Sequence, residues 1–372
     1  MPESPHSLSA PRLLSLDALR GFDMCWILGL SSLLTKLLTR AFPTSSLVPD
    51  ITLQFTHAAW AGFRFYDLIF PLFLFLAGVS LAIALPRRVA RSGRGSAVRH
   101  LLARAAILIL LGIIYSGGLK NGWDQIRWLG VLQRIGIASA AAGIFSLWLG
   151  TRALTLTTAA LLIGYFLLLR FVPVPVPGPG IGISAGNFDE GMNLTNHLDS
   201  LWLPGRKYDG DHDPEGILST LPAIATALLG LLTGKWLTST AAPSRKAGAL
   251  IIAGLLMLAL GWAWHPFFPV IKKIWSSSFV LVAAGWSAIL LGSFYFIVDV
   301  LHWRRGLAPF LWVGANPIAL YLASGLGFFR SLSERLLFTT PPPYDWLPAA
   351  MTFALMLATA QWLHKKQIFL KV

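Results

Sequence analysis

Cysteine is nearly absent: the single Cys25 sits inside an apolar stretch, so neither a disulfide framework nor a cysteine-based zinc site can form within one chain. Charge is scarce as well. Asp, Glu, Lys and Arg make up 12% of the 372 residues, about half the fraction of an ordinary soluble domain. Acids are scarcer than bases, 16 against 30, which leaves a net charge of +14. The start MPESPHSLSAPR lacks the cationic patch, short apolar core and small-residue cleavage site of a removable leader, so the first apolar stretch is expected to stay as an anchor. These shortages exclude a soluble globule of two or three domains. With 55% hydrophobic residues and a mean hydropathy of +0.65, most of the chain has lipid as its solvent.

What is present is a series of stretches of about twenty mostly apolar residues, the length that crosses a bilayer as a helix. They fall at 16 to 39, 66 to 86, 99 to 118, 127 to 149, 152 to 171, 214 to 236, 245 to 263, 274 to 299, 306 to 327 and 345 to 363. None shows the alternation of barrel strands, and open strands would leave backbone groups unpaired in hydrocarbon. The expected fold is all-α, a polytopic membrane helical bundle of about ten spans forming one membrane-embedded domain over residues 1–372. Self-association into a homo-oligomer is compatible with such a chain.

The basic excess follows a topology. Between Pro86 and Arg104 the chain carries Arg87, Arg88, Arg91, Arg94, Arg99 and Arg104 with no acid, and the positive-inside bias assigns this connection to the cytoplasm. Alternation then puts both termini in the cytoplasm, with Lys235, Arg245, Lys246, Arg304, Arg305, Lys365, Lys366 and Lys371 on that side. The long connection 172–213 falls outside. Cations spread over separate membrane-edge loops, rather than along one stripe interleaved with aromatics, argue against a nucleic-acid partner.

Ionisable residues within spans need a partner or a task, because a charge at mid-span costs about 2.5–3.5 kcal/mol on insertion scales. Asp17, Arg20 and Asp23 recur every third residue in SLDALRGFD and share one helix face, either as a self-neutralising anchor or as a ligand for a polar or anionic group. Arg127 and Arg134 are expected on one face of the fourth span. Arg134 is too deep to snorkel, and Asp67 is a candidate partner for it. Asn316 precedes Pro317, which makes either an ordinary kink or a freed carbonyl lining a cavity.

Of eight histidines, His6, His100, His302 and His364 fall at tails or edges and are expected to be solvated, and His265 precedes Pro266 at a helix end. His197 and His212 lie in the long connection. His212 stands in YDGDHDPEG, which resembles a calcium loop only faintly: Pro214 occupies the glycine position and Thr220 that of the bidentate Glu. An EF-hand is rejected and no metal is expected. His57, in TLQFTHAAWAGFRFYDLIFP, is placed by its aromatic neighbours at the outer interface. A neutral imidazole there either takes structural contacts or takes a proton or attacks a carbonyl.

An ordered set of motifs narrows the reading: RLLSLDALRGFDM, THAAWAGFRFYDLIFPLFLFLAGVS, LGVLQRIG, FVPVPVPG, YDGDHDPEGILSTLPAIATALLGLLTGK, PVIKKIWSSSFVLVAAGWSAILL, ANPIALY and KKQIFLKV. Together, from Arg12 to Val372, they resemble the heparan-alpha-glucosaminide N-acetyltransferase family and its bacterial relatives. The resemblance implies a multipass membrane enzyme of the bacterial inner membrane that takes acetyl from cytosolic acetyl-CoA and passes it to an amino sugar on the far side. It carries the family's active-site histidine onto His57 within the His-Ala-x-Trp string. Lysosomal members have an Asn in the first span after the Arg-Gly pair, where this chain reads DMCWILGLSSLL.

On this reading His57 and Asp67 are the catalytic candidates. Arg20, Asp17 and Arg134, with the arginine-rich 87 to 104 segment, are the candidates for binding CoA, and Asp213, Glu215 and Asn316 for binding the sugar. Either His57 attacks the thioester to form an acetyl-imidazole that the amine resolves, or both substrates meet and His57 only removes the amine proton. A different class, a transporter or permease for amino sugars or cell-wall fragments, also fits broken helices and buried charges.

Overall fold

The computed structural model describes residues 13–120, 122–176, 182–337 and 344–370. Residues 1–12 with His6 and Arg12, part of the Pro/Gly-rich run at 177–181, and Lys371 lie outside the described residues.

The chain is a helical bundle. In order come α1 (Leu14–Cys25), α2 (Ser31–Ala41), α3 (Leu47–Leu53), α4 (Ile69–Tyr115), α5 (Val131–Trp148), α6 (Thr151–Phe171) and α7 (Leu194–Trp202). There follow α8 (Thr220–Leu237), α9 (Pro243–Trp264), α10 (Ser277–Tyr295), α11 (Ala308–Ala315), α12 (Pro317–Gly325), α13 (Phe328–Leu337) and α14 (Leu347–Lys365). The strands described are a minimal antiparallel pair, Val174–Val176 with Gly182–Ser184. Among the described residues, seven helical stretches are long and apolar enough to cross a membrane. Leu and Ile side chains such as Leu156 and Ile163 on α6 and Ile252, Leu256 and Leu260 on α9 remain exposed. That surface has its natural solvent in lipid.

Two expected spans, 66 to 86 and 99 to 118, belong to one helical stretch, Phe65–Tyr115. A straight helix of that length would run about 75 Å. It is interrupted at Gly93, whose φ of 75° and ψ of 169° are not helical, a conformation open to a residue without Cβ. Leu81, Leu85 and Arg88 before the break and Leu101 and Arg104 after it line the same cavity, so the chain turns back there. The arginine-rich connection expected between Pro86 and Arg104 is therefore largely helical. The expected span 306 to 327 is likewise broken, into α11 and α12 at Asn316. In the first span a π-helical turn at Trp26–Leu30, with Gly29 at φ 118°, separates α1 from α2.

The centre of the bundle is α4 packed on α5 and α8. Without a hydrophobic force to join helices in lipid, close approach depends on small residues. An added Cβ on Gly78 of α4 would lie 2.0 Å from the Ala227 carbonyl oxygen of α8, and one on Gly230 of α8 would lie 2.0 Å from the Phe75 carbonyl oxygen of α4.

At one end of the bundle the connections fold onto one another. Ala61 bridges Ile271 in antiparallel register, Arg127 bridges Gly205, and Gly62 donates its N–H to the Val270 carbonyl at 2.8 Å. A separate apolar cluster, including Tyr165, Leu169, Leu194, Phe268, Ile271 and Ile274, fixes these connections to α6.

The α4–α8 contact leaves no room to adjust because backbone meets backbone. Gly78→Val is expected to lower stability in detergent by about 1–3 kcal/mol or more, as overpacked cores do, seen as a lower melting temperature and loss of monodisperse protein. Gly248→Ala, with nothing within 4 Å of the added methyl, is expected to be neutral or mildly stabilising.

Candidate active site

The string from His57 to Asp67 closes into a compact loop because Asp67 is a buried carboxylate at the start of the α4 stretch, where unpaired backbone N–H groups are available. Asp67 Oδ2 accepts N–H bonds from Ala58 at 3.1 Å and Arg64 at 3.0 Å, and the Asp67 N–H returns to the Arg64 carbonyl at 2.9 Å. Its other oxygen, Oδ1, accepts from His57 Nδ1 at 2.8 Å. The Arg64 guanidinium in turn donates to the His57 carbonyl and the Thr56 hydroxyl, both at 2.7 Å. His57 is thus held at backbone and ring, with its ring 4.8 Å from that of Tyr66. Its side chain is 53% exposed, whereas that of Asp67 is wholly buried. This is an oriented imidazole with one nitrogen committed and a face open to an incoming molecule.

A third group completes the cluster, one that sequence reasoning did not single out. Lys272, in the connection between α9 and α10, places Nζ 2.9 Å from His57 Nδ1, 3.3 Å from His57 Nε2 and 3.6 Å from Asp67 Oδ1. Burial pulls the Lys272 ammonium below its ordinary range, and the nearby Asp67 and Glu215 carboxylates oppose that shift. The only hint in the sequence is the KK pair inside the apolar PVIKKIW string.

The second acidic group of candidates forms a network of its own. Arg127 Nε donates to Asp213 Oδ2 at 2.8 Å, and its Nη2 donates to Asp213 Oδ1 at 2.7 Å and to Glu215 Oε2 at 2.5 Å. Burial works against the Arg127 charge, but the two carboxylates more than compensate and raise its affinity for its proton. Asp213 also accepts the Tyr208 and Glu215 N–H groups, each at 3.0 Å. Below them Asp199, pushed up to about 6 by burial, accepts the Ile217 N–H at 2.8 Å. The DPEG string is therefore folded around Arg127, and both Asp213 oxygens are committed within the protein.

Two sequence expectations need correction. Arg127 lies ahead of α5, in the bridged segment, and does not share a helix face with Arg134. Arg134 does not pair with Asp67, whose partners are His57 and Lys272. It is fully buried, donates from Nη2 to the Gly216 carbonyl at 3.2 Å and to the Ser219 hydroxyl, and stacks over the Trp275 ring at 5.1 Å. A turn that brings neutral acceptors to the guanidinium replaces the carboxylate that depth alone suggested.

The remaining candidates lie toward the turn of α4 at Gly93. A cavity of about 880 Å³ opens there, lined by Asp17, Arg20, Ser80, Arg88, Arg91 and Arg104 among others. Arg20 pairs with Asp17 at 3.1 Å and bonds the Ser80 hydroxyl. Asp23 is buried, and its Oδ2 has no hydrogen-bond partner. Asn316 marks the break between α11 and α12, as the Asn-Pro pair suggested. Its amide clamps the tail, donating to the Ile368 carbonyl at 2.9 Å and accepting from the Leu370 N–H at 2.8 Å. Phe369 and Leu370 of that tail line the basic cavity. A narrow apolar slot of about 30 Å³, lined by Met24, Ile27, Phe70 and Tyr321, shares Phe73, Pro317 and Ile318 with the cavity. Asp67, Phe70, Phe73 and Ser80 thus follow one another along α4 from the histidine end to the basic end.

The chain matches no family model. It is 27% identical to "Heparan-alpha-glucosaminide N-acetyltransferase" of Mus musculus over an alignment covering 86% of this chain and 56% of that protein. To the protein of the same name from Homo sapiens it is 29% identical, over 72% of this chain and 48% of that protein. The chain therefore spans about half the length of the curated relatives it matches. The resemblance to the heparan-alpha-glucosaminide N-acetyltransferase family, read from motifs set in order along the sequence, is borne out over most of this polytopic helical chain.

Proposed function

We propose that this chain is a transmembrane N-acetyltransferase that moves acetyl from cytosolic acetyl-CoA to the amine of an amino sugar on the other side of the membrane. The observation that carries the reading is the placement of an oriented, half-exposed histidine beside the start of α4 and a basic cavity about the turn of α4 at Gly93. From Asp67 to Arg87 is about 30 Å at 1.5 Å per residue, one bilayer core. The curated relatives' name supplies the reaction class, and the positive-inside bias puts the arginine-rich end in the cytoplasm.

The donor end fits its substrate by charge. CoA carries phosphates, and Arg20, Arg87, Arg88, Arg91 and Arg104 ring the cavity with forked donors suited to them. The apolar slot beyond it suits an uncharged acyl-bearing arm. At the far end, Asp67 accepts the Nδ1–H of His57 and so leaves the Nε2 lone pair to react. In the covalent route Nε2 attacks the thioester carbonyl, the C–S bond breaks, and CoA leaves as a thiolate that takes up a proton. The sugar amine then attacks the acetyl-imidazole, a new C–N bond to the sugar forms as the Nε2–C bond breaks, and the amine's proton is released. The Lys272 ammonium beside the ring supplies positive charge where the carbonyl oxygen becomes negative. Asp67 holds the ring's tautomer and orientation throughout. Asp213 and Glu215 act by shaping the acceptor face through Arg127, and Asn316 by fixing the tail against the donor cavity.

In an assay of purified protein with labelled acetyl-CoA and a panel of amino sugars, wild type is expected to consume more than one donor per chain only when an amine is present. His57→Ala should lower the rate by about 10²–10⁴-fold, and Asp67→Asn should follow it. Without acceptor, label should remain on wild type and be absent from His57→Ala. Turnover without such label would favour direct transfer, and wild type and His57→Ala equally inert while folded would sink the reading. Accumulation of unmodified sugar in proteoliposomes lacking acetyl-CoA would point to a permease.

The donor assignment has its own measurement. Arg88→Gln and Arg91→Gln are expected to raise the KM for acetyl-CoA by about tenfold together, at roughly 0.5–1 kcal/mol for each exposed charge contact, with kcat little changed. The effect should shrink as salt rises.

A further inference from the structure

We propose that Glu190, Asp209 and His212, in the connection between α6 and α8, form a binding site for one divalent cation of the zinc class. Their ligand atoms, one carboxylate oxygen from each acid and a ring nitrogen, lie within 4.8 Å of one another. The three come from two places in the chain: Glu190 precedes α7, and Asp209 and His212 follow it. A tight turn fixes the second pair, with the Asp209 N–H bonded to the His212 carbonyl at 3.1 Å and Lys207 bridging Gly210.

The histidine marks this as more than an acidic cluster. Its side chain is only 6% exposed, and Nδ1 lies 2.6 Å from Asp211 Oδ1. Nδ1–H donates to that carboxylate, so the remaining nitrogen, Nε2, presents a lone pair. Nε2 is buried and has no hydrogen-bond partner. It faces Glu190 Oε1 at 3.7 Å and Asp209 Oδ2 at 3.9 Å. Those separations are too long for N–H···O bonds. They are close to what two ligands show across a shared cation, about 3.4–3.7 Å when each bond is about 2.1 Å and the angle tetrahedral or wider. A carboxylate behind the ligating imidazole is also the usual device for fixing its tautomer at a metal.

Lys273 stands where the cation would be, with Nζ 2.6 Å from Glu190 Oε1 and 3.2 Å from Asp209 Oδ2. It neutralises the carboxylates but leaves Nε2 unpaired. Its side chain is partly exposed and long enough to swing out into water, which makes it a removable counter-ion. One imidazole with two carboxylates selects zinc over calcium, which prefers an all-oxygen shell, and leaves a fourth position for water. The site is separate from the His57 cluster, so it stands or falls independently of the acetyl-transfer reading.

The test uses the full chain in detergent, stripped with chelator and titrated with zinc chloride by calorimetry, with bound zinc counted after buffer exchange. One zinc per chain is expected. His212→Gln should weaken binding by at least about tenfold, the lower bound for disturbing such a ligand set, and Glu190→Gln, at a more exposed position, should do the same in a chain that melts like wild type. Lys273→Met should bind zinc more tightly than wild type, because the competing ammonium is gone. No saturable uptake by wild type, uptake unchanged in both ligand variants (an adventitious ion only), or weaker binding by Lys273→Met would each overturn the proposal.

Discussion

The histidine end of this protein depends on the burial of one carboxylate. Asp67 has no access to water, and an ionised carboxylate in that position is tolerable only if its lone pairs are taken by donors and its charge is opposed. The donors it recruits are the N–H groups of Ala58 and Arg64, the His57 ring and, at longer range, Lys272. Each comes from a connection that has no regular structure of its own. The cost of leaving Asp67 unpaired is therefore what orders the loop ahead of α4, aims the imidazole and docks the connection between α9 and α10. Removing His57 deletes a reactive group, but removing Asp67 releases the frame that holds it.

The same accounting explains why the other buried charges do not meet the partners that depth alone suggests. Arg127 already satisfies Asp213 and Glu215 through three bonds. Arg134, one turn into α5, then finds a carbonyl, a hydroxyl and an indole face rather than a carboxylate. At the basic end the Asn316 amide, freed by the break before Pro317, is satisfied by the backbone of the tail. In each case a polar group within the membrane region draws a distant segment to itself, so these groups act as fasteners between elements that lie far apart in the chain.

This is also why the sequence is legible in some respects and opaque in others. The helical bundle can be read because lipid demands a long apolar run whatever surrounds it, although about ten spans were expected and seven helical stretches among the described residues are long and apolar enough to cross. Two of the breaks were visible as well, since Gly93 falls inside the connection expected between Pro86 and Arg104 and Asn316 precedes Pro317, whereas the π-helical turn at Trp26–Leu30 carries no such mark. The pairing of His57 with Asp67 was within reach of the sequence because both lie in one short string, ten residues apart, and the loop closes on itself. Lys272 was not, since its place beside His57 arises from strand-like contact of Ala61 with Ile271, a pairing without a local signal. The Arg134 pairing with Asp67 failed for the same reason, because depth in a span constrains one coordinate and leaves the partner's direction free.

The proposed transfer between two compartments would carry a requirement that soluble acyl transfer does not: the path for the acetyl group must not become a path for ions. The cavity at the arginine-rich end is wide and charged, and the imidazole is wet on one face, but against the cavity lies an apolar slot of about 30 Å³. That volume is near the room of a single water, and its walls offer almost no polar partners to hold one. A hydrated cation would have to shed its shell there against a cost of many kcal/mol, whereas an uncharged acyl arm would replace apolar contacts with apolar contacts. Phe73 borders both the cavity and the slot, so its ring sits at the narrowing where such an arm must pass. On the proposed reading, selectivity for a neutral two-carbon passenger would follow from the same exclusion of water that makes the buried Asp67 carboxylate so exacting about its partners.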